Sequence, residues 1–528
     1  MKYLKNKIYI IIFTLIESFL QVYGYMLTNN QILKDFNLKY ICYFLLMFII
    51  LFIINNLIFK LLSLKVKKDI ITKKFSKKNF FIIWLIIFLL WIPIFLLYYP
   101  SIFAYDALRQ IPHINNTELW SGQPIFHTLI IEFWIIIGKK ISSYKLGLIL
   151  YSLFQMLCMS AIFAYSIEKI NTKLNNKKIS KIFTIILILF YGIIPFNSIL
   201  SISVIKDVLF SGLLLLLILN IYDIIDNNEI NNKKRIFIII NSVSILLIKN
   251  SFINIFTIFT ILFAILFKNK KINILGYSLI LYFIIYSLII IIFKPTKQFE
   301  MEKNSLQFQN LDYISIKHPT VLNDTYFKNN KCLYSKETIY NKNNADNLKI
   351  RNNYCNSGNV NEKEIITNWI SYGMKYPIDY FDSWSNLYIG SWYLLDTSHA
   401  YKIYSNDATG YLQTYLYAPT LKIEQENKLP ILKNIYNDIG SGDFQYKKYK
   451  FLRFIFEPAS YILLFFLLIT YLLQNKRKKE IIPLIIPLLL YLSIVTGPCI
   501  LVRYMYPYMV IVPIIFFRII SNNKEEVE

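Results

Sequence analysis

FFIIWLIIFLLWIPIFLLYYPSIFAYD, residues 80–106, is the stretch whose reading decides the fold. Its first twenty residues carry no charge, and at about 1.5 Å per residue a helix of roughly that length crosses about 30 Å of hydrocarbon. A short polar stretch, Tyr99 to Asp106, follows at once and ends in a carboxylate. An ionised group beside hydrocarbon is too costly to keep without a partner or a task. Asp106 is therefore the first candidate catalytic residue, and the side of the membrane it faces decides what it can do.

Working outward, the same apolar pattern recurs along the chain. The protein has 528 residues, 55% of them hydrophobic and only 17% charged, with a mean hydropathy of +0.44. Met1 to Lys7 and the apolar run from Ile8 resemble a signal peptide, but Glu17 interrupts the run and no small-residue cleavage pattern follows, so an uncleaved first span is expected. Further spans are read at residues 40–63, 80–99, 146–167, 182–199, 203–222, 236–249, 252–267, 272–293, 452–473, 482–498 and 502–520. The fold class expected is an all-α polytopic membrane bundle of about twelve transmembrane helices.

Lysine-rich connections lie at residues 65–78, 169–181, 233–235, 268–271 and 476–479. With this span count all five fall on one side, which the positive-inside rule makes cytoplasmic. Both termini are then cytoplasmic, and the protein is multi-pass in the plasma membrane. Two segments test the parity. Residues 124–138 reach only about 22 Å as a helix and read as a helix at the outer interface. Residues 236–267 are too long for one span and carry Lys249-Asn250-Ser251 in the middle, where a helical hairpin would turn.

Four regions follow. Residues 1–79 hold two extra N-terminal helices and a basic cytoplasmic loop. Residues 80–293 form a transmembrane core whose first outer loop is 100–145. Residues 294–450 form an extracytoplasmic α-rich or mixed domain, and 451–528 the C-terminal helices with a short cytoplasmic tail. The large outer segment has nineteen Lys or Arg against sixteen Asp or Glu, so it accounts for only +3 of the formal +25. The remaining positive charge lies chiefly in the cytoplasmic loops, where it serves orientation and attraction to anionic lipid; nucleic-acid binding is not needed to explain it.

Within the outer segment Trp369, Tyr372, Tyr376, Tyr380, Trp384, Tyr388 and Trp392 recur at spacings of three and four, an amphipathic helical pattern. Such rings either pack against the bundle or its interface, or offer a platform on which sugar faces stack. Cys42, Cys158 and Cys499 fall in or beside spans and read as apolar filler. Cys332 and Cys355 share the outer segment and are candidates for a disulfide worth on the order of 3 kcal/mol. No Cys or His spacing resembles a metal site.

The polar groups with chemistry to offer gather on the outward edge: Asp106, Arg109, Gln110 and His127 in the first outer loop and the helix after it, Lys206 and Asp207 at the start of a span, Lys249 and Asn250 at the hairpin tip, and Arg503 and Tyr504 opening the final span. An Arg at a span end is ordinarily an interface anchor, and Lys206 with Asp207 would satisfy other bundle residues. Taken together, a carboxylate beside several cations is what transfer from a lipid phosphate requires.

Tyr99-Pro100-Ser101-Ile102-Phe103-Ala104-Tyr105-Asp106, followed by Gln123-Pro124-Ile125-Phe126-His127-Thr128, resembles the first outer loop of the GT-C superfamily of polytopic membrane glycosyltransferases. The likeness extends loosely to Ser203–Asp207, the Lys249-Asn250 hairpin, Gly497-Pro498, Arg503-Tyr504 and Pro507. It implies an essential acid after the first core span, here Asp106 acting as general base. It also implies a polyprenyl-phosphate sugar donor held through Lys206, Lys249 and Arg503, and an extracytoplasmic glycan, lipid or protein acceptor. Gln123-Pro124 stands where the superfamily has a His-Pro-type element. No cofactor is required by any motif; a divalent metal is left open by the resemblance, but the outer loop lacks Asp-x-Asp, which points to the metal-independent branches. Two other classes stay open. A lipid-linked oligosaccharide flippase or transporter would use Lys206 and Asp207 with Glu17 and Glu168 as a pathway. A non-catalytic envelope-assembly protein would use 369–395 as a partner surface.

Overall fold

The computed structural model describes residues 7–64, 74–104, 106–110, 119, 121–174, 176–227, 230–267, 273–296, 304–330, 334, 340–345, 362–396, 414–415, 417–418 and 421–523. Its principal helices are α1 (Ile8–Thr28), α2 (Leu38–Leu62), α3 (Lys77–Leu97), α4 (Ile125–Ile141), α5 (Tyr144–Asn171), α6 (Lys177–Ile193), α7 (Pro195–Ser201), α8 (Lys206–Asp226) and α9 (Asn232–Ile248). They continue with α10 (Phe252–Leu266), α11 (Asn273–Phe293), α12 (Ser305–Lys317), α13 (Glu362–Lys375), α14 (Pro377–Tyr388), α15 (Pro458–Gln474), α16 (Ile485–Ile494) and α17 (Val502–Ser521). Strand structure among the described residues is confined to two pairs of two-residue strands. The chain is an all-α, multi-pass membrane protein. Among the described residues seven helices, α1, α2, α3, α5, α8, α11 and α17, are long and apolar enough to cross a membrane, or up to nine if two bent pairs each count as one span.

The bends have a common cause. The run expected as one span at 182–199 breaks between α6 and α7 by 56°, and the run at 452–473 breaks before α15 by 62°. Pro195 and Pro458 open the second helix of each pair, and the residues before them, Ile194 and Glu457, are extended. Proline lacks the N–H that would continue the ladder and pushes its predecessor out of the helical region. The stretch 482–498 is also shorter than expected: a 3₁₀ turn at Ile482–Leu484 leads into the ten-residue α16. The break expected at Lys249–Ser251 is present between α9 and α10, and the apolar run from residue 124 forms the single helix α4 (Ile125–Ile141).

Burial ranks the helices. α8 is the most enclosed, with 78% of its apolar window buried, whereas α2 has 11%. α8 packs against α5, α9 and α17. α4 and α5 meet backbone to backbone: a Cβ on Gly147 would lie 2.4 Å from Ile135 Cα.

Helices α12 and α13 share a separate apolar cluster with Phe327 and Tyr334, against which Trp369, Tyr376 and Tyr380 pack. Residues 377–396 are tied to α1. Tyr23 stacks on Phe381 and Trp392, with ring centroids 5.4 and 6.2 Å away, and its hydroxyl donates to the Asp382 carboxylate. The Gln21 amide donates to the Trp392 carbonyl at 2.7 Å and accepts from the Leu394 N–H at 3.0 Å. Trp384 Nε1 and the Tyr388 hydroxyl donate to the carbonyls of Val495 and Gly497. Of the two readings of the aromatic stretch, packing is the one these rings follow, since Tyr388 and Trp392 are buried.

A buried ion cluster beside a cleft

Three sets of backbone rungs place Asp106. Ile102 N–H donates to the Ile202 carbonyl at 3.1 Å, and Val204 N–H donates back to the Ile102 carbonyl at 3.0 Å. Phe103–Ala104 pairs antiparallel with Thr414–Tyr415, and Glu426 N–H donates to the Tyr99 carbonyl. Gln155 of α5 supports the same strip from below, its amide donating to the carbonyls of Ser201 and Ser203 at 2.9 and 2.8 Å. The loop that ends in Asp106 and the loop that ends in Lys206 are therefore one hydrogen-bonded unit.

On that support, Asp106 Oδ2 accepts from Lys206 Nζ and from Arg503 Nη1, each at 2.8 Å. Asp106 and Arg503 are 397 residues apart in sequence, and the side chains of all three partners are largely buried. Burial by itself would raise the Asp106 carboxyl, but the Arg503 guanidinium and the Lys206 ammonium outweigh it and hold the group well below the usual carboxylate range. Lys206 Nζ also donates to Gln123 Oε1 at 2.6 Å.

A second pair sits next to the first. Lys249 Nζ donates to Asp207 Oδ1 at 3.0 Å and lies 4.5 Å from the centre of the Phe210 ring. Asp207 is 1% exposed, and its Oδ2 has no hydrogen-bond partner among the described residues. The Arg503 guanidinium lies 5.1 Å from the Tyr504 ring centre. Three cations face two carboxylates, leaving a formal +1 for an anion to meet.

The cluster opens on a cleft of about 550 Å³. Its polar wall includes Gln123, Lys206, Asp207, Lys249 and Asn250, and its apolar wall includes Phe252, Ile255, Leu490 and Ile494. Asp106 and Arg503 are not in that wall, but Lys206, which bonds Asp106, and Tyr504, which lies against Arg503, both are. Gln110 and His127 form an adjoining network. The Gln110 amide lies 3.1 Å from His127 Nδ1 and donates to Thr128 Oγ1 at 3.0 Å, and His127 Nε2 lies 3.0 Å from the Tyr151 hydroxyl. Burial, reinforced by Lys206, pushes the His127 imidazolium down to about 3, so the ring is neutral near pH 7.

Of the residues expected from sequence, Asp106, Lys206, Asp207, Lys249, Asn250, Arg503 and Tyr504 come together, with Gln110 and His127 beside them. Only the backbone of Arg109 is described, in a helical turn at Ala107–Gln110, and Cys332 and Cys355 lie outside the described residues. Glu17 and Glu168 are elsewhere: Glu17 accepts from Asn55 and Glu168 from the Ser76 N–H. Tyr151 and Gln155, which sequence reasoning missed, sit on one face of α5 four residues apart, and two polar groups at that spacing in an apolar span were the available signal. Among the described residues no group of three or more His, Cys, Asp or Glu side chains could together hold a metal ion.

No curated protein and no solved structure matches this chain. A family model does match, over residues 114–528, which takes in Lys206, Asp207, Lys249 and Arg503 but begins after Asp106. The match covers more than half of the sequence, and the chain belongs to that family, DUF6020, described as a family of unknown function.

Proposed function

We propose that this protein is a membrane glycosyltransferase of GT-C type. It transfers a sugar from a polyprenyl-phosphate donor to an extracytoplasmic acceptor. In this reading the bundle has about twelve spans, counting the shorter helices α9, α10 and α16 with the longer ones. Both termini are cytoplasmic, and residues 294–450 lie outside the cell.

The observation that carries the reading is the meeting of Asp106, Lys206 and Arg503 at 2.8 Å, beside a cleft whose wall holds Lys206 and Lys249. A phosphate leaving group needs cations that are preorganised where charge develops. An attacking hydroxyl needs a carboxylate to receive its proton. In the step envisaged, the acceptor oxygen bonds to the anomeric carbon as the bond from that carbon to the phosphate oxygen breaks. The hydroxyl proton passes to Asp106, and the electron pair of the broken bond leaves with the phosphate toward Lys206 and Lys249. A single base favours inversion at the anomeric carbon. The cleft's apolar wall suits the hydrocarbon end of the donor, as its lysines suit the phosphate.

The test is the lipid-linked sugar profile of membranes carrying wild type or Asp106→Asn at equal expression, against a deletion. The variant and the deletion are expected to accumulate the same polyprenyl-phosphate sugar that wild type consumes. A variant profile identical to wild type would remove Asp106 from the chemistry.

A further inference from the structure

The cations around Asp106 and Asp207 differ in what their departure would leave behind. If Lys206 swings into the cleft, Asp106 keeps Arg503 at 2.8 Å. If Lys249 leaves, Asp207 loses the only cation that hydrogen-bonds it among the described residues. Its other oxygen already has no hydrogen-bond partner there, so a buried charge would be stranded at high cost. Arg503 is fixed differently. Its planar guanidinium lies over the Tyr504 ring, outside the cleft wall, whereas Lys206 is a point charge with three donors on a flexible stem that already lines the cleft.

Resting on the reading of the cleft as a lipid-phosphate site, we propose that Lys206 is handed over. The phosphate of the donor draws its ammonium from Asp106 while Lys249 stays on Asp207, so Asp106 becomes a competent base only when donor is seated. Among the described residues, the charged and titratable groups that interact with Asp106 are Lys206 from α8, Arg503 and Tyr504 from α17, and His127 from α4. His127 is neutral and Arg503 is held by its own neighbour, which leaves Lys206 as the group able to move. In the cluster as it stands, two cations on one oxygen make Asp106 a weak base. Taking one away restores basicity at the moment an acceptor hydroxyl can be used, and couples donor binding to proton acceptance.

The probe is a short-chain isoprenyl methyl phosphate diester, whose phosphate bears one negative charge and does not titrate in the range used. Binding to the purified full-length protein is followed by calorimetry at about pH 5, near the ordinary carboxylate range, in two buffers of different ionisation enthalpy. Wild type is expected to take up on the order of 0.1 proton per ligand bound, as for a carboxylate returning toward its ordinary value. Asp106→Asn is expected to bind without uptake. Lys206→Gln is expected to bind at least about tenfold more weakly, for want of a charge-assisted hydrogen bond, and also without uptake, because its Asp106 is already released. Binding by wild type with no proton uptake would overturn the handover and leave the phosphate site standing. No binding at all would overturn the phosphate reading of the cleft and the handover with it. In turnover, the acid limb of kcat should lie at higher pH than that of kcat/KM, since the two report bound and free enzyme; coincident limbs would count against the handover.

Discussion

The ion pair between Asp106 and Arg503 joins the loop after α3 to α17, and its strength can be measured by a double-mutant cycle of Asp106→Asn and Arg503→Met. Both substitutions keep the approximate volume of the side chain. Two unit charges about 4 Å apart attract by about 4 kcal/mol at an effective dielectric of about 20. A charge-assisted hydrogen bond nets about 1.5–3 kcal/mol. Lys206 shares the same carboxylate oxygen and softens the loss when Arg503 is removed, so the coupling expected is about 2–3 kcal/mol. The same cycle on Asp443 and Lys447, a pair with side chains 39% and 75% exposed, should give a coupling within about 0.5 kcal/mol of zero. The assay is equilibrium unfolding in mixed micelles with increasing anionic detergent.

The pH dependence adds a second reading. A carboxyl held below its unfolded value stabilises the fold at every pH above that value and loses its contribution as pH falls through the folded one. The coupling should therefore be flat from neutral pH down to about 5 and fade only in strong acid. A coupling no larger than that of the Asp443–Lys447 pair would refute the argument that the two ends of the chain are locked together through this oxygen.

His127 gives a pH slope of opposite kind. Its folded pKa lies below the unfolded one, so wild type should lose about 1.4 kcal/mol of stability per pH unit on acidification below about 6.5, and His127→Gln should abolish that slope in thermal unfolding between pH 7 and 5. Gly147→Ala should destabilise by about 1–3 kcal/mol or more, because its Cβ would meet backbone atoms of α4; Gly276→Ala, with nothing within 4 Å, should leave melting unchanged or raised. Tyr23→Phe should cost about 1–3 kcal/mol by stripping the buried Asp382 carboxylate of a donor, visible as faster amide exchange over 377–396 without loss of α8 protection.

Hydrophobic run length made the helical class and most helix positions readable, because burying a backbone in hydrocarbon leaves few alternatives. The helix break at Lys249–Ser251 was readable for the same reason: polar residues in the middle of an overlong apolar run have to reach an edge. The breaks at Pro195 and Pro458 were not taken from hydropathy, since hydropathy averages over the missing N–H that causes them. The site was legible as residue types on one edge, but not as pairs. Nothing in local sequence says that Arg503 meets Asp106. Rungs from Ile102 to Ile202 and Val204 bring Lys206 to Asp106, and their backbone atoms carry no side-chain signature.

The first two helices then acquire a physical role that their composition hides. They lie outside the matched family region and look like added membrane anchors, and α2 is indeed mostly exposed. Yet α1 offers Gln21 and Tyr23 to residues 382–394, and α14 in that segment donates from Trp384 and Tyr388 to the carbonyls at 495–497. Those carbonyls lead into the cleft rim at Gly497–Cys499 and, a few residues on, into Arg503. Packed rings and hydrogen bonds run from α1 to residues 495–497, and the backbone runs on from there to Arg503. Loosening α1 should therefore reach the ion cluster by shifting the cleft rim, with no change to any residue of the cluster itself.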